Sequence, residues 1–361
     1  MKKTTLRVRA AALAAGTLAS LGTLAAVAAP ADAAAPHPVH NPAALRAQTI
    51  FSGAAHGWSD PDDIAVLGGH VFVGFQNGVP STGPAAGTPQ QSTLVELSPN
   101  GRLEHSWNLT GKIDGLGADR THDRVIVTVN EDADSSMWVV TAKGAAQHYA
   151  YDQNPLPHGG GTDAVSVFHG VIYTSASAPT TTGPAVYRVT LLPGGSAHVA
   201  STAIGTDSMA TVANAGQHGS TQLALTDPDS NTVVPRHALR FGGDFMLDSQ
   251  GDQQAIFASS LAPGARLKVL NLSQAIDDTA FAPARRARLV VTDAAADTVD
   301  LVTGGFTPGA AYSVVTPGDA NTPPVPTPDN YLARLDLNTG ALTPLAVSGV
   351  TVTPHGAAFL G

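Results

Sequence analysis

The chain contains no cysteine, and this absence sets the first limits on its chemistry. Without thiols it forms no disulfides and offers no thiolate to a metal or a substrate. Also absent are a His-Glu-x-x-His pair, a phosphate-binding Gly loop, a dinucleotide Gly pattern and a Gly-x-Ser-x-Gly elbow. The fold of these 361 residues must rest on a buried apolar core, and nothing in the sequence favours nicotinamide, flavin or serine-hydrolase chemistry.

Glutamate is scarce, with three residues (Glu96, Glu104 and Glu131) among 28 acidic side chains. The other acidic residues are Asp, which favours turns, whereas Glu favours helices. The chain also holds 37 Gly and 26 Pro, and short runs rich in Val, Ile and Thr lie between turn clusters. This composition predicts an all-β chain of many short strands.

The N-terminus has the pattern of a secretory signal peptide. Basic residues at positions 2, 3, 7 and 9 precede an apolar, Ala-rich run that ends in Ala31-Asp32-Ala33. We expect residues 1–33 to be removed after Ala33 by the general secretion route, because no paired-Arg motif is present. We also expect a disordered leader over 34–46 and a single domain over 47–361.

Removal of the signal would leave 15 basic and 27 acidic residues, a net charge of −12. Such an acidic chain is a poor binder of nucleic acid. No later segment is apolar enough to span a bilayer. We therefore predict a secreted monomer whose partner is a small molecule or a component of the cell envelope.

An internal repeat organises the domain. An Asp opens a short apolar strand at intervals of 34 to 51 residues, and His takes its place in the last copy: Asp63, Asp114, Asp163, Asp207, Asp244, Asp278 and His355. In the first unit, further strands are expected at 71–75, 93–97 and 103–107. Units of this length with four antiparallel strands predict a β-propeller, for which seven blades fit slightly better than six. A strand near 49–51 would close the ring.

A second element is an apolar-Thr-Asp turn followed by Asn or Asp, Thr and Val, at 225–233 and 291–299 and more loosely at 129–137. We interpret each copy as a hairpin. With the Pro-Asp-Asp-Ile-Ala-Val opening at 61–66, it resembles NHL-type propellers and their senescence-marker/gluconolactonase and streptogramin-lyase relatives. The phrases VNEDADSS, HGGGTDAVS, LTDPDSN and LDSQGDQQ resemble a group of exported actinobacterial propeller proteins. That resemblance implies a fold and no particular reaction.

The recurring Asp residues would crowd one mouth of the central channel, because the innermost strands of a propeller line it. One interpretation is that each Asp binds backbone N–H groups of its own turn. The other is a ring of carboxylates that holds a ligand or a hard cation such as Ca²⁺, together with His158 and His355. An EF-hand loop at Asp227 is excluded, since Thr232 replaces the required Gly. No cofactor is required, and Ca²⁺ or another divalent cation is the candidate.

Two functions remain. The first is a non-catalytic module that binds a ligand or partner at the channel mouth. The second is a metal-dependent hydrolase of lactones or esters, as the gluconolactonase resemblance implies. That family holds its metal with a channel Glu, whereas Glu96 and Glu104 fall on predicted outer strands and Glu131 on a hairpin tip. Streptogramin lyases need a Glu in a later blade, and none follows residue 131. We favour the first function.

Overall fold

The computed structural model describes residues 44–179 and 183–361. The predicted signal peptide and most of the predicted leader lie outside the described residues. The first strand begins at Leu45, inside the leader boundary set from the sequence. In the part of the chain that is described, no helix is long and apolar enough to cross a membrane.

The described residues form short strands and one helical turn (Ala54–His56). The strands of the first half are β1 (Leu45–Ser52), β2 (Pro61–Leu67), β3 (His70–Phe75), β4 (Gln91–Leu97), β5 (Leu103–Thr110), β6 (Ile113–Asp119), β7 (Arg124–Val129), β8 (Ser136–Thr141), β9 (Ala146–Tyr151), β10 (Thr162–Phe168), β11 (Val171–Ala176), β12 (Val186–Leu192) and β13 (Ser196–Ser201). Those of the second half are β14 (Met209–Val212), β15 (Ser220–Gln222), β16 (Asn231–Val233), β17 (Phe245–Ser249), β18 (Gln254–Ala258), β19 (Leu267–Asn271), β20 (Ile276–Phe281), β21 (Arg288–Asp293), β22 (Thr298–Thr303), β23 (Ala311–Val315), β24 (Tyr331–Leu335), β25 (Leu342–Pro344), β26 (Val347–Gly349) and β27 (Pro354–Leu360).

These strands build six four-stranded antiparallel units among the described residues. From inside to outside they are β2-β3-β4-β5, β6-β7-β8-β9, β10-β11-β12-β13, β16-β17-β18-β19, β20-β23-β24-β25 and β27-β21-β22-β1. The four strands expected in the first unit are confirmed. Six apolar cores lie between successive units, and one of them joins the sixth unit to the first. The chain is therefore a closed β-propeller.

The ring is closed by strands from both halves of the chain. The innermost strand of the sixth blade, β27, comes from the C-terminus, and the outermost, β1, from the N-terminal part, where it pairs with β22 as predicted. The hairpin β21–β22 is inserted between β20 and β23, so blades five and six share one stretch of chain. The chain thus passes from blade five (β20) to blade six (β21–β22) and back to blade five (β23).

The preference for seven blades is wrong, and the fourth blade shows why. Asp207 and Asp244 were each expected to open an inner strand of a separate blade. Instead Asp207 precedes the outer strand β14, Asp244 precedes the second strand β17, and one inner strand, β16, serves both segments. Residues 225–233 are not a hairpin but a loop (225–230) followed by β16, whereas the expected hairpins at 129–137 and 291–299 are confirmed.

Five of the six inner strands carry the same β-bulge near their first residues. Between Pro61 and Ile64 the inner strand advances three residues while its partner advances two, and the irregularity recurs at 113–116, 162–165, 276–279 and 354–357. A bulge re-aims the side chains of its extra residues. Asp63, Asp114, Asp163, Asp278 and His355 fall inside these bulges. The repeat in the sequence therefore marks the position of the bulge in each of these five strands.

Hydroxyl groups on the second strands connect the bulges of neighbouring blades. Thr292 donates to the Asp62 carbonyl of the first blade at 2.5 Å and accepts the Gly356 N–H of its own blade at 2.6 Å. The Thr128 hydroxyl lies between the carbonyl oxygens of Gly115 and Asp163, to which it donates, and Ser175 has the equivalent place between the carbonyls of Ala164 and Asp229. These contacts hold the first residues of adjacent inner strands together at the channel mouth.

We expect Thr292→Val, which keeps the side-chain shape, to lower the free energy of unfolding by about 1–3 kcal/mol. The cause is that the buried Asp62 carbonyl and Gly356 N–H lose their shared partner. Urea unfolding measures the effect, with the exposed Thr343→Val as control. Equal midpoints for the two variants would contradict this role of the hydroxyl.

Candidate functional site

The channel holds a polar cavity of about 760 Å³ that extends along the inner strands, and Asp119 and Arg120 line it at the far end of β6. Its mouth is formed by the starts of the inner strands and the loops beside them, and the acidic residues that line the mouth are Asp62, Asp63, Asp114, Glu131, Asp163, Asp227, Asp229, Asp277, Asp278 and Asp319. Lys112 and His355 line the same region. Acidic side chains therefore far outnumber basic ones where six blades meet.

On one side of the mouth, Lys112 forms ion pairs with two acidic side chains. The Lys112 ammonium lies 2.9 Å from Asp114 Oδ1 and also contacts the Glu131 carboxylate. The Glu131 N–H donates to Asp114 Oδ2 at 3.0 Å, which fixes the β7–β8 hairpin against β6. Glu131 is on a hairpin tip as predicted, but that tip lies at the mouth, so the expectation of no channel Glu is wrong.

Two of the recurring Asp residues are occupied by backbone groups. Asp63 accepts the N–H of Ile64 at 2.6 Å and that of Leu116, which belongs to the next inner strand. Asp278 accepts the N–H of Thr279 at 2.6 Å and that of Ala357 at 2.8 Å, again in the next strand. For these two residues one backbone contact lies within the same turn, as the structural interpretation expected, and the other reaches the next blade, so each carboxylate fastens one bulge to its neighbour.

The residues before them point toward different partners. Asp62 accepts from Gln76 at 2.7 Å, and His355 Nδ1 lies 4.0 Å from Asp62 and 3.8 Å from Asp277. The carboxyl groups of Asp229 and Asp277 are close enough to shift each other's pKa. Blades one, four, five and six thus bring their polar groups into one connected cluster.

Where the inner strands of the third and fourth blades begin, two buried side-chain oxygens have no hydrogen-bond partner among the described residues. They are Asp163 Oδ2 and Asn231 Oδ1, both on residues that line the cavity. The Asn231 amide is fixed by donation to the Ala164 carbonyl at 2.9 Å, so its oxygen cannot turn away. Unsatisfied buried acceptors are costly, and a bound donor or cation would satisfy them.

Burial raises the pKa values of Asp163, Asp229 and Asp277 well above the ordinary value, and neighbouring carboxylates raise them further. Burial likewise raises the pKa of Asp278 to about 6, although its two backbone N–H donors oppose the shift. The mouth therefore holds carboxyl groups that ionise with difficulty unless positive charge is brought in.

The structure brings together five of the eight residues predicted for the site, namely Asp63, Asp114, Asp163, Asp278 and His355. The other three lie elsewhere. Asp207 is exposed before β14, Asp244 pairs with Lys268 at 3.4 Å on an outer strand, and His158 is fully buried against Tyr187. Asp207 and Asp244 were misplaced because the fourth blade departs from the repeat.

The side chains of the mouth have the oxygen donors that a divalent cation requires, but among the described residues their ligand atoms are not grouped closely enough to hold one directly. Oxygen donors suit Ca²⁺ and Mg²⁺. Yet within the described residues, no three carboxylate or imidazole ligand atoms of the mouth lie within 4.8 Å of one another. The Asp229–Asp277 pair could hold an ion only with water or a ligand to complete its coordination.

Sequence reasoning missed Asp62, Asp229, Asp277, Asp227 and Lys112 as lining residues. The signal for two of them was present, since the doublets Asp62-Asp63 and Asp277-Asp278 occupy equivalent bulges. All four residues line the cavity, but the second Asp of each doublet accepts backbone N–H groups, whereas the first faces other side chains. The repeat was aligned on one Asp per unit, so the sequence could not separate the roles of the two residues in a doublet.

No protein-family model matches the chain, and no curated protein matches it. Among solved structures, it is similar to a streptogramin B lyase at 12% identity, over 86% of this chain and 76% of that one, with a TM-score of 0.44. It is similar to the β-propeller domain of Cps50 (Swd1) from Myceliophteria thermophila at 8% identity, over 85% and 90%, with a TM-score of 0.46. A protein from Bacteroides uniformis described as a candidate 6-phosphogluconolactonase matches at 11% identity, over 81% and 85%, with a TM-score of 0.42. The sheets and cores of the chain itself carry the assignment of this all-β chain to the β-propellers.

Proposed function

We propose that the propeller is a non-catalytic binding module whose acidic channel mouth takes a small cationic ligand, or the ammonium or guanidinium group of a partner. The observation that carries the proposal is that two buried oxygens of the mouth, Asp163 Oδ2 and Asn231 Oδ1, have no hydrogen-bond partner within the part of the chain that is described. They lie in a cavity whose carboxyl groups have raised pKa values through burial. A bound cation with N–H donors would satisfy both the unpaired acceptors and the charge.

The size of the cavity supports an organic ligand over a bare ion. A volume of about 760 Å³ falls within the range of roughly 300–1,000 Å³ found for small-molecule sites. A planar guanidinium offers several N–H donors in a fork that matches carboxylate pairs. The proposed location of such a protein outside the cell follows from the signal-peptide pattern and stays a prediction.

The test is calorimetric titration of the protein with N-acetyl-arginine amide and with N-acetyl-citrulline amide, its neutral isostere. We expect the arginine probe to bind at pH 7.5 at least about tenfold more tightly than the citrulline probe, and its affinity to fall with added salt. Equal affinities, or no heat with either probe, would contradict the proposal. Calcium titrated in parallel shows whether a metal takes the place instead.

A second candidate is the metal-dependent lactone or ester hydrolase, and one observation favours it. Glu131 stands at the mouth, where the sequence had suggested that no Glu was present. Its carboxylate is already paired with Lys112, however, and the ligand atoms are not close enough for a formed metal centre. Hydrolysis of a lactone panel that requires added divalent cation, and that is lost in Glu131→Gln, would favour this candidate over the binding module.

A further inference from the structure

The second, third and fourth strands of the first blade carry a cluster of His and Glu side chains of the kind that bind metal ions, and this cluster is separate from the channel. It contains His70 on β3, Glu96 on β4, and Glu104 and His105 on β5, and none of these lines the mouth. One ligand atom each from His70, Glu96 and Glu104 lies within 4.8 Å of the other two. Within the residues described, this is the one group of three or more that reaches such proximity.

Strand register explains how three strands place these side chains on one face. Phe72 pairs with Glu96, and Glu96 pairs with His105, while His70 is two residues before Phe72 and so shares its face. The register then shifts, because Leu97 pairs with Leu103 and leaves Glu104 as an extra residue. The bulge places both Glu104 and His105 opposite Glu96.

The contacts within the cluster are close but incompletely satisfied. His70 Nδ1 lies 2.9 Å from Glu96 Oε1 and 2.6 Å from Glu104 Oε2, yet this buried nitrogen has hydrogen-bond geometry with neither. His105 Nδ1 is 2.9 Å from the other oxygen of Glu96. The side chain of Glu96 is only 10% exposed. Among the described residues, the negative charges of Glu96 and Glu104 are therefore balanced only by His70, His105 and the exposed Arg102.

We propose that His70, Glu96, Glu104 and His105 form a site for a first-row divalent transition ion, of which Zn²⁺ is the best match. Two imidazole nitrogens and two carboxylate oxygens make a four-ligand set of the kind that zinc takes in tetrahedral sites. Bonds of about 2.0–2.1 Å would separate neighbouring ligand atoms by roughly 3.3 Å. The contacts of His70 with Glu96 and Glu104 therefore need to widen by about half an ångström, and His105, which contacts Glu96 but lies outside the group of three close ligand atoms, needs to turn toward the ion. The ion would join β5, the outermost strand, to β3 and β4 in a chain without disulfides.

The test uses the full chain after removal of metals by a chelator. Zinc affinity is measured by competition with a chromophoric chelator, and Co²⁺ is added in parallel because its visible absorption reports four-coordinate geometry. We expect one equivalent of zinc and a raised melting temperature. Glu104→Gln should weaken zinc binding on the order of 100-fold, since loss of even an outer-shell partner costs roughly 10- to 100-fold.

Three further variants make the result specific. His105→Asn alters a ligand whose side chain is 59% exposed, so it decides the question if Glu104→Gln fails to fold. His198→Asn removes an exposed histidine that contacts a single carboxylate, Asp152, and should bind zinc as the unmodified chain does. Asp229→Asn with Asp277→Asn tests whether zinc goes to the channel instead. Absence of zinc binding, unchanged binding in His105→Asn, or loss only in the channel variant would overturn the proposal.

Discussion

We expect the protein, in low salt and without divalent cations, to lose stability as the pH rises from about 4 to above 6. Burial raises the pKa of Asp278 from 3.8 to about 6. Between these values the unfolded chain has released the proton while the folded chain keeps it, so the free energy of unfolding decreases with pH. Asp278 alone contributes roughly 2 kcal/mol of this loss, and Asp163, Asp229 and Asp277, whose burial also raises their pKa values, extend it upward in pH.

Melting temperatures at pH 4, 5, 6 and 7 measure this dependence. Most proteins gain stability over the same interval, because paired carboxylates have lowered pKa values in the folded state. The control is Asp123→Asn, which changes an exposed turn residue remote from the mouth and should keep the whole profile. A rise in stability from pH 4 to pH 7 would show that the mouth carboxyls are already compensated.

Replacing Asp229 and Asp277 together by Asn should have opposite effects on stability and binding. Without ligand, the double variant removes two groups whose ionisation is opposed by burial and by each other, so the free energy of unfolding at pH 7.5 should rise. Affinity for N-acetyl-arginine amide should fall roughly 30-fold or more, because a buried charged partner has been lost.

The two readouts separate a functional cluster from a structural one. If these carboxyls served only to hold the blades, as Asp63 and Asp278 do, the variant would melt at a lower temperature. Urea unfolding and calorimetry on the same preparation give both numbers. A destabilised variant with unchanged affinity would contradict the assignment, and Asp123→Asn again serves as the control for loss of an exposed acidic side chain.

The sequence predicted the architecture well where the repeat is regular. Val71 to Phe75 is a short apolar run bounded by turn residues, and the other strands of the first blade are delimited in the same way, so they follow from pattern alone. The blade count did not follow. Asp207 and Asp244 imitate the repeat while β16, only three residues long, has no strong pattern of its own.

The site was only partly predictable for a different reason. The recurrence of Asp63, Asp114 and Asp163 revealed where the inner strands begin, because each bulge needs a polar residue. Which oxygens bind backbone and which face the cavity depends on bulge geometry and on contacts between blades, such as that of Asp63 with Leu116. Glu131 and Lys112 are brought together only by the β6–β7–β8 register.

The most direct test of the central claim is a crystal structure of the protein grown with N-acetyl-arginine amide. We expect density for the guanidinium group in the channel mouth, within hydrogen-bond distance of the Asp229–Asp277 pair or of Asp163 and Asn231. Density for the probe outside the channel, or a mouth without the probe at a concentration that saturates the calorimetric signal, would contradict the account.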